Sequence, residues 1–276
     1  MKEYLSKLNW CKYAKVFSLG WQEQMEYRIN NLMESLIGII SFMVLYFLWS
    51  SVYRSNHGQP IAGLGFKEML TYILLAKFWD WVIDPSSEVD NQVPEDIRNG
   101  GLNRFLIRPI SDRLYRFSRY LAHKILYGLM RIGPVIILII FLPRIFTIAP
   151  YVGWWYLPIA CFLALVLQFS FSYTVTVLAF WWLEIWGMLF LKRLIVSFLA
   201  GAWLPLTVLP EKFANILMLL PFQSMIFFPV QIVLGKLSIG DIHQGLLIQS
   251  VWIMIFITLS SILWTYGMKK YSAAGA

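Results

Sequence analysis

Six long apolar runs dominate the chain, near Leu32–Tyr53, Phe66–Ile83, Leu121–Leu142, Leu157–Trp182, Leu194–Leu209 and Leu246–Gly267. A helix needs roughly 20 apolar residues to cross the ~30 Å hydrocarbon layer of a bilayer. Lipid offers the backbone no hydrogen-bond partner, so segments that cross singly must be helical. The pattern predicts an all-α, polytopic membrane protein with six transmembrane helices. The second run is weakened by Lys77 and Asp80, and the fifth runs into a proline-rich segment. The mixed residues before the first run lack a basic start, apolar core and small-residue cleavage site, so no cleaved leader is expected.

The segments between the runs have patterns of their own. In residues 4–28, Trp10, Tyr13, Ala14, Phe17, Trp21 and Met25 share one helical face, and Lys12, Lys15, Gln22, Glu23 and Glu26 share the other. That predicts an interfacial helix within residues 1–30, apolar face toward lipid. The connection over residues 85–118 predicts two short helices. Pro94 suits a first helical position, with Glu95 and Asp96 in the first turn. Gly100 and Gly101 end that helix. Leu102, Phe105 and Leu106 then recur at helical spacing beside Arg104 and Arg108, and Pro109 stops the second piece. An apolar stripe on such a loop either carries a docked partner or packs against the ends of its own spans. In residues 205–236, Pro205, Pro210, Pro221 and Pro229 cut an apolar stretch into pieces too short to cross. A re-entrant helical hairpin on the outer side, its breaks buried against protein, fits this pattern.

Composition agrees: 59% of residues are hydrophobic, 14% are charged, and mean hydropathy is +0.63. Soluble domains are nearer half apolar and a quarter charged. The net charge of +8 is largely an asymmetry between the two sides. With the N-terminus inside, the inner segments hold Lys2, Lys7, Lys12, Lys15, Arg28, Arg98, Arg104, Arg108, Arg113, Arg116, Arg119, Lys124, Lys192, Arg193, Lys269 and Lys270. The outer segments hold only Arg54, Lys67, Arg144, Lys212 and Lys236. The positive-inside rule then puts both termini in the cytoplasm, and the basic character needs no nucleic-acid partner. Trp154, Trp155 and Tyr156, and at the other boundary Trp264 and Tyr266, occupy interfacial-belt positions.

Soluble-enzyme chemistry is absent from the pattern. No GxxxxGK[ST] phosphate loop occurs, and Gly235-Lys236 lacks its context. His57, His123 and His243 are scattered, and Cys11 and Cys161 lie far apart, so neither a metal site nor a disulfide framework is expected. There is no GxSxG elbow. Polar residues inside the runs include Lys77, Asp80, Arg131 and Gln168. A mid-bilayer charge costs at least ~2.5–3.5 kcal/mol, so such groups face protein or a wet cavity and pair. Lys77, Asp80 and Arg131 are candidates for an intramembrane ion pair or for the lining of a translocation path.

The stretch EDIRNGGLNRFLIRPIS, Glu95–Ser111, resembles the loop after the second span in ABC-2 type (type V) ABC exporter permeases, most closely the branch with paired six-span permeases. The matching positions are Glu95, Gly100, Leu102 or Leu106, Arg108, Pro109 and Ile110, with Gly101 where the family usually has another small residue. Order and spacing of the N-terminal helix, the six runs and the Leu209-Pro210 and Leu220-Pro221 pairs extend the resemblance over most of the chain. It implies a single permease domain, residues 1–276, in a bacterial plasma membrane. Residues 1–30 would be the connecting helix. Residues Val93–Arg108 would carry a coupling helix docked on an ATP-binding subunit through Glu95, Ile97, Arg98, Gly100, Leu102, Phe105 and Arg108. Two copies of that subunit would bring the ATP and magnesium, so this chain needs no cofactor and is not itself an ATPase. A second permease chain, identical or homologous, would pair through the first and fifth spans, with export between them. An ATP-independent carrier or channel, or a membrane scaffold, are the other readings. Cargo is unspecified: drug, peptide, glycan-lipid and polysaccharide all remain open.

Overall fold

The computed structural model describes residues 2–26, 28–84, 86–107, 110–141, 145–146, 151–182 and 184–271. They form α1 (Lys2–Glu26), α2 (Arg28–Ser55), α3 (Phe66–Ile83), a π-helical turn (Ser86–Asn91), α4 (Gln92–Arg98), α5 (Asn103–Leu106), α6 (Asp112–Phe141), α7 (Leu157–Thr176), α8 (Trp186–Leu199), α9 (Glu211–Leu219), α10 (Phe227–Val233) and α11 (Ile239–Met268). The described residues are all-α, with no strand among them. Three helical stretches among them are long and apolar enough to cross a membrane: Asp112–Phe141, Val152–Phe180 and Ile239–Met268. The helices α2 and α3 stand where the first and second runs lie, and α8 overlaps only the start of the fifth.

Local chemistry sets several boundaries. The α3 helix starts where the extended Gly65 donates its backbone N–H to the Glu68 carboxylate at 2.9 Å. It stops at extended Asp84, which precedes Pro85, as proline requires of the residue before it. At α11, Ser238 Oγ accepts from Asp241 N at 3.2 Å and Asp241 Oδ2 accepts from Ser238 N at 3.0 Å, a reciprocal capping box.

Two boundaries differ from the apolar pattern. The third long helix begins at Asp112, because Asp112, Arg116 and Tyr120 are buried in the protein rather than lost to solvent. The fifth is shifted: α8 ends at Leu199, and the chain turns at Gly201, whose φ is +84°. A Cβ there would sit 2.6 Å from Tyr72 Oη. Lys192 and Arg193, read as loop cations, lie inside α8.

The core is built around α7, with α11 along one side. A glycine admits an aromatic ring where α11 meets the 3-10 turn after α7: a Cβ at Gly267 would be 2.2 Å from the Phe180 ring. Half-buried Trp264 stacks on Tyr173 at 6.1 Å and meets Phe180 edge-on. Trp155, by contrast, is 86% exposed. The α1 helix lies along α6, with Gly20 against Ala122 and Glu23 paired to Arg119.

Residues 205–236 form α9, α10 and connecting turns. The α9 helix exposes Phe213, Ile216 and Leu219, whereas α10 is almost wholly buried. The breaks are satisfied by protein. Trp79 Nε1 donates to Met225 O at 2.8 Å, Gln249 Nε2 to Ser224 O at 2.8 Å, and Phe227 N to Ala200 O at 3.0 Å.

Candidate functional site

The connection between α3 and α6 carries an extended polar network. It begins as the π-helical turn Ser86–Asn91, which continues into α4, so Pro94 falls in the first turn of α4 rather than starting it. Gly100, at φ +76°, ends α4, after Asn99 N has closed on Glu95 O at 2.8 Å. Gly101 is required for a second reason. A Cβ there would be 2.3 Å from Asp96 Oδ1 and 3.2 Å from Asp96 Cα.

Asp96 is the hub of the loop. Its Oδ2 accepts from Arg104 Nη2 at 2.5 Å and from Arg116 Nη2 at 2.5 Å. Arg116, 1% exposed, also donates its Nε to Asp112 Oδ1 at 2.8 Å, and Tyr173 Oη donates to Asp112 Oδ2 at 2.9 Å. One chain of charge-assisted bonds therefore runs from the loop through α6 to α7. Such bonds are stronger than neutral ones.

A second anchor ties the start of the loop to α7 and α8. Asp90 in the π-helical turn is buried, and Lys192 Nζ donates to both its carboxylate oxygens at 2.5 Å. Ser172 Oγ donates to Asp90 Oδ1 at 2.6 Å, and Lys192 also reaches Ser172. Nothing local in the sequence pairs these residues. Lys192 stands 102 positions from Asp90, and its only signal is a cation beside an apolar run.

The apolar stripe turns inward. Ile97 and Leu102 are buried in the main core with Val89 and Val93, and Phe105 packs edge-on against Tyr115 at 5.2 Å. Facing outward are Glu95, Arg98, Asn99, Asn103, Arg104 and Ile107, the last 80% exposed. Arg98 reaches Glu184 at 3.2 Å. A cavity of about 260 Å³ lies beside it, lined by residues including Asp90, Glu95, Arg98, Glu184 and Trp186. Of the candidate coupling residues, Glu95 and Arg98 are thus at the surface, Phe105 is half-buried, and Ile97 and Leu102 are inside. Arg108 and Pro109 lie outside the described residues, as does the side chain of Leu106.

The bundle charges take separate partners. Asp80 accepts a long, 3.4 Å hydrogen bond from Ser197 Oγ and feels the charge of Lys77 one turn away. Lys77 Nζ sits 4.1 Å above the Trp203 ring. Arg131 lies 3.8 Å over Tyr127 and 5.0 Å over Trp81. Each cation lies over an aromatic face, a contact that is favourable where water is excluded.

With this geometry in place, residues 39–275 match the family described as ABC-2 family transporter protein. The chain belongs to the ABC-2 transporter permease family. A search of curated proteins returned no match. The ABC-2 permease is accordingly a membrane transport component, and members of this family work with an ATP-binding subunit. Among its described residues no group of His, Cys, Asp or Glu is arranged to hold a metal.

Proposed function

We propose that this ABC-2 permease is the membrane subunit of an ATP-driven exporter, forming half of a substrate route and receiving force from a separate ATP-binding subunit at the α4–α5 loop. The observation that carries the reading is the double anchoring of that loop. Asp96 binds it to α6, and Asp90 binds it to α7 and α8. A push on the loop's outer face is then delivered to the bundle instead of dissipating in a flexible connection. The contact surface is the outward set Glu95, Arg98, Asn99, Arg104 and Ile107, while Ile97, Leu102 and Phe105 hold the loop's shape from behind.

The rest of the architecture fits the same reading. Exposed apolar side chains run along α2 (Ile40, Met43, Val44, Phe47) and α8 (Phe190, Leu194, Phe198). In the assembly these faces meet lipid or the second permease chain, with the route between the two permeases. The α1 helix lies at the inner membrane surface, both termini are cytoplasmic, and α9–α10 form the re-entrant hairpin at the outer end. ATP and magnesium sit on the partner.

Intact-complex mass spectrometry after gentle purification from the native membrane tests this. The expected assembly is two ATP-binding subunits with two permease chains. Recovery of the chain alone, under conditions that keep comparable complexes whole, overturns the proposal in favour of an ATP-independent carrier or scaffold.

A further inference from the structure

A second cavity, about 190 Å³, lies between α3, α7 and α8 at the end of the bundle nearest the coupling loop. Its lining includes Asp80, Asp84, Gln168, Lys192, Arg193 and Ser197. Both signs of charge are present. Lys192 is committed to Asp90. Arg193, exposed at the mouth, makes no ion pair among the described residues. Asp80 accepts the long bond from Ser197 and feels the charge of Lys77 one turn away, with no ion-pair contact to it.

The decisive group is Gln168. It is 4% exposed, it lines the cavity, and its Oε1 has no hydrogen-bond partner. Leaving a buried carbonyl unmet costs free energy, so an unmet one beside a cavity marks where a donor belongs. Gln168 Oε1 and the Asp80 carboxylate are both acceptors, the pair that a primary ammonium would satisfy. Arg193 offers a planar fork suited to a phosphate.

Size and surroundings narrow the ligand. At about 30 Å³ per water, the cavity holds only a handful of waters' worth of volume, less than a drug-sized pocket. It suits a headgroup, not a whole amphiphile. On α8, Phe190, Leu194 and Phe198 lie one turn or less from Arg193 or Ser197, and all three are exposed. Acyl chains leaving the mouth would run over this apolar strip.

We infer that the α3–α7–α8 cavity is a recognition site for the zwitterionic headgroup of an amphiphile, with a primary ammonium on Asp80 and Gln168 and a phosphate on Arg193. The inference rests on the permease reading, and it names the cargo class that reading leaves open.

The test uses the purified full-length complex, stripped of lipid and exposed to phosphatidylethanolamine, phosphatidylcholine and phosphatidylglycerol at equal mole fractions, with retained lipid counted by native mass spectrometry. Phosphatidylethanolamine should be retained about tenfold over phosphatidylcholine, whose quaternary nitrogen has no N–H to give, and over phosphatidylglycerol, which has no cation. Asp80→Asn and Gln168→Met should each remove most of that preference. Arg193→Gln, at an exposed position, should weaken retention without threatening the fold. Soluble O-phosphoethanolamine should compete only weakly; competition equal to the lipid's would make the free headgroup the ligand. Equal retention of the three lipids, or a preference unchanged in Arg193→Gln and Gln168→Met, overturns the site. These readouts need no ATP. A complex with its ATP-binding subunits but no headgroup preference sinks this inference alone, whereas a preference in a chain that has no such subunits sinks the permease reading.

Discussion

Replacing Lys192 with methionine isolates the anchor between the α3–α6 connection and α8. The Asp90 carboxylate, 2% exposed, would keep only the Ser172 hydroxyl. Breaking a buried pair by removing one partner costs about 3–5 kcal/mol, because the surviving charge is left uncompensated. At roughly 2–4 °C per kcal/mol for a chain of this size class, the apparent melting temperature should fall by on the order of 10 °C. The double variant Asp90→Asn/Lys192→Met removes both charges, and the new side-chain carbonyl can still accept from Ser172. The unsatisfied amide nitrogen beside it should leave a deficit of about 1–3 kcal/mol, so roughly half of the lost stability returns. Heating detergent-solubilised protein and following the monodisperse fraction gives the stability comparison. Substrate-stimulated ATP hydrolysis of the assembled complex gives the second. If the pair transmits force, the double variant is stable yet poorly coupled. A double variant no more stable than Lys192→Met would refute the buried-pair argument. Full coupling in a stable double variant would refute the transmission role.

Other expectations follow from single contacts. Gly101→Ala should cost about 1–3 kcal/mol as an overpacking defect and raise protease cleavage within the loop, since the new methyl group displaces Asp96 from its two arginines. Tyr72→Phe should cost about 1 kcal/mol through loss of its 2.7 Å bond to Gly201 O. Gly201→Ala should cost more, and adding Tyr72→Phe to it should cost less than the sum of the two, because the clashing hydroxyl is gone; strict additivity in the melting series counts against that geometry. Arg98→Glu should leave stability within about 1 kcal/mol of native, as its pair with Glu184 is exposed, yet lower co-purification of the ATP-binding subunit.

The apolar pattern locates the long helices well where local signals coincide with burial. The second run matches α3 residue for residue, because Gly65 begins it and the Asp84-Pro85 step ends it. The fifth run is displaced from α8 for a physical reason. Lys192 and Arg193 look like loop cations, and the distant Asp90 makes Lys192 tolerable at a buried position of α8. For the same reason the anchor Asp90–Ser172–Lys192 is invisible in the sequence: three residues from three segments carry no shared spacing. The loop's apolar stripe is legible, but its direction is not. Periodicity says that Leu102, Phe105 and Leu106 share a side, and it cannot say whether a partner or the chain's own core covers it. Gln168 is visible as a polar residue in an apolar run. The unmet state of its carbonyl is a property of packing alone.

The Asp96 hub also bears on exchange with solvent. Surface loops ordinarily open by themselves, with little free energy and fast amide exchange. Here Arg116 and Asp112 tie Asp96 to buried Tyr173, so exposing the amides of α4 requires disrupting the interior of the bundle. The loop should exchange its amide hydrogens as slowly as α6 and α7, in one cooperative unit with them. A segment with so little compliance of its own behaves as the short arm of a rigid lever, and its displacement has to reappear as movement of whole helices.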